Sequence, residues 1–263
     1  MLCADMTNRN FRRWIAKTKK ERGSNIILAL DYTIPNPREL LLQSKKTIET
    51  LSPHICGVKF NRHLVLPLGL YSGVKELLDL TRTLGLPSIM DCKINDIGAT
   101  NRMIAHHYYT AGFDAVTANP FIGWEDGLNQ VFKISNELNK GVILLVYMSH
   151  KGAVEGYAQR VKNPNTNKVY FQYQIFAEKA LKWDADGVVV GATYPQKIFE
   201  INKILNGKIP IYSPGIGVQG GNIELVAKSR SDYFIIGRSI LYAKDPIQSV
   251  RKFNEIINTS SKD

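Results

Sequence analysis

Residues 87–100 read PSIMDCKINDIGAT, and how the first seven are read decides the fold. Pro87–Met90 is a short apolar run with no polar alternation, and it ends abruptly in Asp91 and Lys93. A strand with one wet face alternates apolar and polar residues, whereas a parallel strand covered by helices on both faces does not. Seven more runs of this kind occur: Ile26–Leu30, Ile55–Phe60, Ala115–Ala118, Val142–Val146, Gly187–Val190, Pro210–Tyr212 and Tyr233–Ile236. Helical patterns lie between them, such as Leu68–Leu84 and Tyr173–Trp183, and Gly85, Gly112 and Gly141 stand where helices should stop. Eight strands, each followed by a helix, predict a single α/β domain of the (β/α)8 (TIM) barrel type rather than an open doubly wound sheet, which usually has about five or six strands.

The rest of the chain fits this frame. Its 263 residues suit one barrel, spanning 25–263, preceded by a short helical extension over 1–24. With 44% hydrophobic and 22% charged residues it is not disordered. Within the extension, residues 11–22 (FRRWIAKTKKER) read better as a solvated helix burying Phe11, Trp14 and Ile15 than as a nucleic-acid arm or transit peptide. The formal charge of +11 suits an anionic small ligand or a nucleic acid without choosing between them. Three cysteines (Cys3, Cys56, Cys92), without metal-site spacing, point to a reducing cytoplasm. No apolar run reaches the roughly 18 residues needed to cross a bilayer, so no membrane role is expected.

The strand step from Val142 to Gly187 is long, at 45 residues, and the excess falls in 148–171, which contains NPNTNK at 163–168. On the active-site face this segment is either a lid or a tolerated insertion.

Barrel chemistry collects at the C-terminal ends of strands. There the chain places Asp31, Lys59, Asp91 with Lys93, then Asp96, Ser149-His150, the glycine-rich run Ser213–Gly221, and Gly237-Arg238. Residues i and i+2 of a strand share a face, so Asp91 and Lys93 should both enter the barrel mouth while Cys92 points away. Carboxylates and ammoniums taken out of water must pair, which keeps Lys93 protonated, and a protonated lysine held beside a carboxylate is a positioned proton donor. The pattern Gly215-x-Gly217-x-x-Gly220 follows the seventh strand, not the first, which excludes a dinucleotide fold. Its exposed N–H groups, with Arg238, make a phosphate cradle. His54, His63, His106 and His107 lack metal-ligand spacing.

Taken together, these motifs resemble the orotidine 5'-monophosphate decarboxylase family. The resemblance rests on Leu-Asp31, Val-Lys59, Asp91-x-Lys93-x-x-Asp96-Ile97-x-x-Thr100, Met148-Ser149-His150-x-Gly152, Ser213-Pro214-Gly215-Ile216-Gly217-x-Gln219-Gly220 and Gly237-Arg238-Ser239. It implies a homodimer of barrels that turns orotidine 5'-monophosphate into uridine 5'-monophosphate with no cofactor and no metal. It further implies that Asp91 crowds the substrate carboxylate and Lys93 protonates C6. Asp31 and Lys59 would hold the ribose, Lys59 also orienting Asp91. Asp96, Ile97 and Thr100 would reach the partner's site. Ser149 would touch the pyrimidine edge and Pro214 line the base pocket, while Gly217, Gln219, Gly237 and Arg238 would bind the phosphate side. Lys151 stands where the family pattern would have proline. Two other readings remain. A metal-dependent sugar-phosphate decarboxylase or aldolase would favour a carboxylate where Lys59 stands. A non-catalytic nucleotide- or RNA-binding barrel would need a recognition motif that the chain lacks, so no specific nucleic-acid partner is expected.

Overall fold

The computed structural model describes residues 10–162 and 167–260. The strands in chain order are β1 (Ile26–Leu30), β2 (Gly57–Asn61), β3 (Ser88–Ile94), β4 (Ala115–Ala118), β5 (Gly141–Tyr147), β6 (Arg160–Lys162), β7 (Val169–Phe171), β8 (Gly187–Val190), β9 (Ile211–Pro214) and β10 (Tyr233–Ile236). The helices are α1 (Asn10–Arg22), α2 (Pro37–Leu51), α3 (Arg62–Leu68), α4 (Val74–Thr83), α5 (Gly98–Ala111), α6 (Asn129–Glu137), α7 (Ala153–Tyr157), α8 (Gln172–Lys182), α9 (Pro195–Leu205), α10 (Ile223–Lys228), α11 (Arg238–Leu241) and α12 (Pro246–Ser260). Eight strands close into a parallel barrel in the order β1-β2-β3-β4-β5-β8-β9-β10, while β6 and β7 form a separate antiparallel hairpin.

The barrel strands lack polar alternation because both of their faces are dry. Ile27, Ala29, Ile89, Ala115, Ile143, Leu145, Val189, Tyr212 and Ile235 fill the interior. Their neighbours, such as Leu28, Phe60, Met90, Val116, Leu144 and Phe234, pack outward against the helices. Helix α1 stops the N-terminal end: Phe11 and Ile15, each 1% exposed, join the interior cluster, while Trp14 is only half-buried. Two glycines make room for this packing. A Cβ on Gly141 would overlap the Phe11 ring, and one on Gly187 would overlap the Tyr212 ring.

Several boundaries differ from the sequence reading. Gly85 (φ 73°) and Gly112 (φ 121°) do follow helix ends, but Gly141 opens a strand, and it is Asn139 (φ 54°) that turns the chain after α6. The predicted helix over 68–84 is broken at Gly69 (φ 71°), with α3 before it and α4 after a wide turn. Strand β3 continues four residues past Met90, because the mouth charges are part of the strand. Segment 148–171 is not irregular: it holds α7 and the β6–β7 hairpin, with residues 163–166 of the polar run and Cys3 lying outside the described residues. Among the described residues, no helix is long and apolar enough to cross a membrane.

Candidate active site

The C-terminal mouth of the barrel opens into a cavity of about 660 Å³. Inward positions of successive strands line it: Asp31 after β1, Lys59 and Asn61 on β2, Asp91 and Lys93 on β3, and Thr117 on β4. Asp91 is the hub. Its Oδ2 accepts from Lys59 Nζ at 3.0 Å, and its Oδ1 accepts from Lys93 Nζ at 2.7 Å and from Thr117 Oγ1 at 3.0 Å. Lys59 Nζ also donates to Asn61 Oδ1 at 2.5 Å, and the Asn61 amide donates to Asp31. One polar chain therefore runs Asp31–Asn61–Lys59–Asp91–Lys93.

The three charged groups differ in their access to water: the Lys59 side chain is 6% exposed, Asp91 16% and Lys93 30%. Burial opposes ionisation of Asp91, but the ammoniums of Lys59 and Lys93 and their hydrogen bonds outweigh it. They hold the carboxyl well below the usual carboxylate range. The lysine of the set that solvent or a ligand can reach most readily is thus Lys93.

The opposite wall is built from the loops after β9 and β10. Pro214, Gly215, Ile216, Val218, Gln219, Gly237, Arg238 and Ser239 line it. Gly215, Gly217 and Gly220 all have positive φ, and the turn closes through Gly220 N–H to the Gly217 carbonyl at 2.7 Å. Gly217 itself faces Ser239, and a Cβ there would overlap the Ser239 hydroxyl. Ser239 Oγ in turn accepts from Val218 N–H at 3.3 Å, which ties the loop to the start of α11. Arg238 is exposed and forms no ion pair among the described residues. Ser149 bridges the two walls by donating to Gln219 Oε1 at 2.8 Å. The N–H groups of Gly217, Val218, Gly220 and Gly221, expected from the sequence to be exposed, instead donate within the loop or to Ser239, so what this wall offers an anion is the unpaired Arg238 guanidinium.

The family model described as orotidine 5'-phosphate decarboxylase / HUMPS matches residues 24–253. The chain belongs to that family. It is 33% identical to the orotidine 5'-phosphate decarboxylase of Methanococcoides burtonii over 238 residues, covering 90% of this chain and 99% of the relative. Among solved structures, it is 28% identical to the Methanocaldococcus jannaschii orotidine 5'-monophosphate decarboxylase complexed with inhibitor BMP. That match has a TM-score of 0.72 and covers 89% of this chain and 99% of the other. The Leishmania donovani OMP decarboxylase, at 22% identity, shares the fold with a TM-score of 0.83 over 96% of this chain and 99% of that one.

Of the residues predicted from family motifs, Asp31, Lys59, Asp91, Lys93, Ser149, Pro214, Gln219, Gly237 and Arg238 meet in one cavity, and Gly217 shapes its glycine loop. Asp96, Ile97 and Thr100 do not line it. They are exposed on the turn after β3 and the first turn of α5, with Ile97 61% accessible. Asn61 and Thr117 escaped the sequence reading. Asn61 had a usable signal, because it lies two residues beyond Lys59 on the same strand face. Thr117 had none, being one residue of an apolar run. His63, read as an isolated histidine, also lines the mouth, together with Arg62, His150 and Lys151. Among the described residues, no group of three or more His, Cys, Asp or Glu is placed to hold a metal.

Proposed function

We propose that this chain decarboxylates orotidine 5'-monophosphate to uridine 5'-monophosphate in the cytoplasm as a homodimer, using neither metal nor cofactor. The observation that carries this reading is Asp91 fixed between two lysines on one wall of a cavity whose other wall is a glycine loop with a free arginine. A nucleotide laid across the cavity has its phosphate at Gly217, Gln219, Gly237 and Arg238 and its base against Pro214 and Ser149. Its ribose hydroxyls then meet Asp31 and Lys59.

This pose sets the substrate carboxylate beside the Asp91 carboxylate. The repulsion is relieved in the transition state as the C6–carboxylate bond breaks and carbon dioxide leaves. The bond's electron pair stays on C6, where the Lys93 ammonium stabilises it and then delivers a proton; water reprotonates the lysine. Interactions that strengthen only as charge develops are the ones that accelerate a reaction. Asp96, Ile97 and Thr100 are assigned to the partner subunit's site, which accounts for their exposure here. The catalytic domain is assigned to 25–263, and helix α1 of the extension stops the far end of its barrel.

The test is the loss of orotidine absorbance with purified protein in EDTA. Turnover that survives exhaustive chelation supports the reading. Activity lost on chelation and restored by magnesium favours a metal-dependent sugar-phosphate reaction, and RNA binding at physiological salt without turnover favours a binding protein. Sedimentation at micromolar protein, with and without uridine monophosphate, tests the dimer; a monomer in both refutes the assignment of Asp96 and Thr100.

A further inference from the structure

Lys93 does not reach Asp91 by plain strand alternation. Its backbone is left-handed, with φ 51°, inside a strand. Seven non-glycine residues among those described have positive φ, and five of the other six are Asn or Asp, the types that enter this region most readily. A lysine there is strained and persists only where its surroundings impose it. The ladder between β3 and β4 slips at this point: Met90 pairs with Val116 and Ile94 with Ala118, so Thr117 alone faces residues 91–93.

Thr117 is 2% exposed, and its hydroxyl makes two hydrogen bonds into the slip. Its Oγ1 accepts from the Lys93 backbone N–H at 2.9 Å, in place of the ladder bond that the bulge removes. A hydroxyl has one proton to give, and that proton points at Asp91 Oδ1, 3.0 Å away. The same Oδ1 accepts from Lys93 Nζ at 2.7 Å. The hydroxyl therefore joins the backbone of one reacting group to the carboxylate of the other, and closes a ring through Lys93 N, Thr117 Oγ1, Asp91 Oδ1 and Lys93 Nζ.

We propose that Thr117 is a positioning residue for the decarboxylation, holding Lys93 in its left-handed conformation and fixing the Asp91 oxygen that Lys93 engages. This rests on the reading under Proposed function. Thr117 acts through the other two and is not assigned a role in binding nucleotide. Its removal should therefore slow turnover and leave ground-state binding in place, since substrate affinity is assigned to the remote phosphate wall.

The experiment compares wild type with Thr117→Val, Thr117→Ser and Thr117→Ala, measuring kcat, KM and uridine monophosphate affinity. Thr117→Val removes both hydrogen bonds of the hydroxyl, and loss of the one to the charged Asp91 alone predicts a kcat lower by about 10–100-fold. KM and nucleotide affinity should stay within about threefold of wild type, and Thr117→Ser, which keeps the hydroxyl, should recover kcat to a similar margin. Wild-type kcat in Thr117→Val, a parallel fall in kcat and nucleotide affinity, or a Ser variant as slow as the Val variant each overturns the proposal. Should Thr117→Val not fold, an Ala variant as fast as the Ser variant overturns it, and one about tenfold slower or worse upholds it. A wild-type chain that does not turn over orotidine monophosphate refutes the parent reading and the role of Thr117 with it. Wild-type turnover with equal variant rates refutes Thr117 alone.

Discussion

Lys93→Ala should abolish turnover and scarcely disturb the fold, and the geometry gives both magnitudes. Removing Lys93 takes away the 2.7 Å hydrogen bond to Asp91 Oδ1 but leaves Lys59 Nζ and Thr117 Oγ1, each at 3.0 Å, so the carboxylate remains paired. A charged hydrogen bond contributes about 1.5–3 kcal/mol. The Lys93 side chain is 30% exposed, so water replaces part of that, and the expected cost is about 1 kcal/mol. For a chain of this length that lowers the melting temperature by about 2–4 °C. Lys59 behaves differently. Its side chain is 6% exposed, so Lys59→Ala breaks a buried pair at a cost of about 3–5 kcal/mol. The predicted order of melting temperatures is wild type, then Lys93→Ala, then Lys59→Ala. The predicted loss in kcat for Lys93→Ala is at least about 10³-fold, combining lost proton transfer with lost charge stabilisation. Scanning calorimetry and the absorbance assay read the two quantities on the same samples. A Lys93→Ala enzyme within tenfold of the wild-type rate refutes the proton-donor role, and one that melts below Lys59→Ala refutes the account of which charge is buried.

Three other outcomes are expected. Arg238→Ala should weaken uridine monophosphate binding by about 10–100-fold, the value of one charged hydrogen-bonding partner, and titration calorimetry checks it. Phe11→Ala should destabilise the chain by about 3–5 kcal/mol by emptying the barrel's stopped end, with KM unchanged; urea unfolding and steady-state kinetics read the two effects. Burial pushes the Cys56 and Cys92 thiols up to about 12. Both therefore stay protonated at pH 8, where an ordinary thiol is partly ionised, and iodoacetamide should label them only after unfolding, as peptide mass mapping would show.

The barrel was legible because its signal is local. Doubly buried strands such as Val142–Val146 and Tyr233–Ile236 need apolar residues on both faces, and that requirement is written in consecutive positions. The charged strand ends were legible for the same reason, since Asp91 and Lys93 have no apolar explanation. Boundaries were harder. Gly141 looks like a helix stop in sequence, but it is a glycine because Phe11, 130 positions away, occupies the space of its side chain. Thr117 was invisible as a site residue because it sits inside an apolar run, and only its neighbours give it meaning, whereas Asn61 could have been read from its place two residues beyond Lys59.

The sequence by itself determined the architecture, the family and the charged strand ends Asp31, Lys59, Asp91, Lys93 and Arg238, since these follow from residue type and order. Tertiary structure alone decided how that set is wired. A slipped ladder between β3 and β4 turns Lys93 into a left-handed conformation and sets Thr117 beneath it. Asn61 is interposed between Lys59 and Asp31. Hydrogen bonding and charge pairing act over about 3 Å, and which atoms come that close is a property of strand register across the closed barrel, which no single stretch of chain encodes.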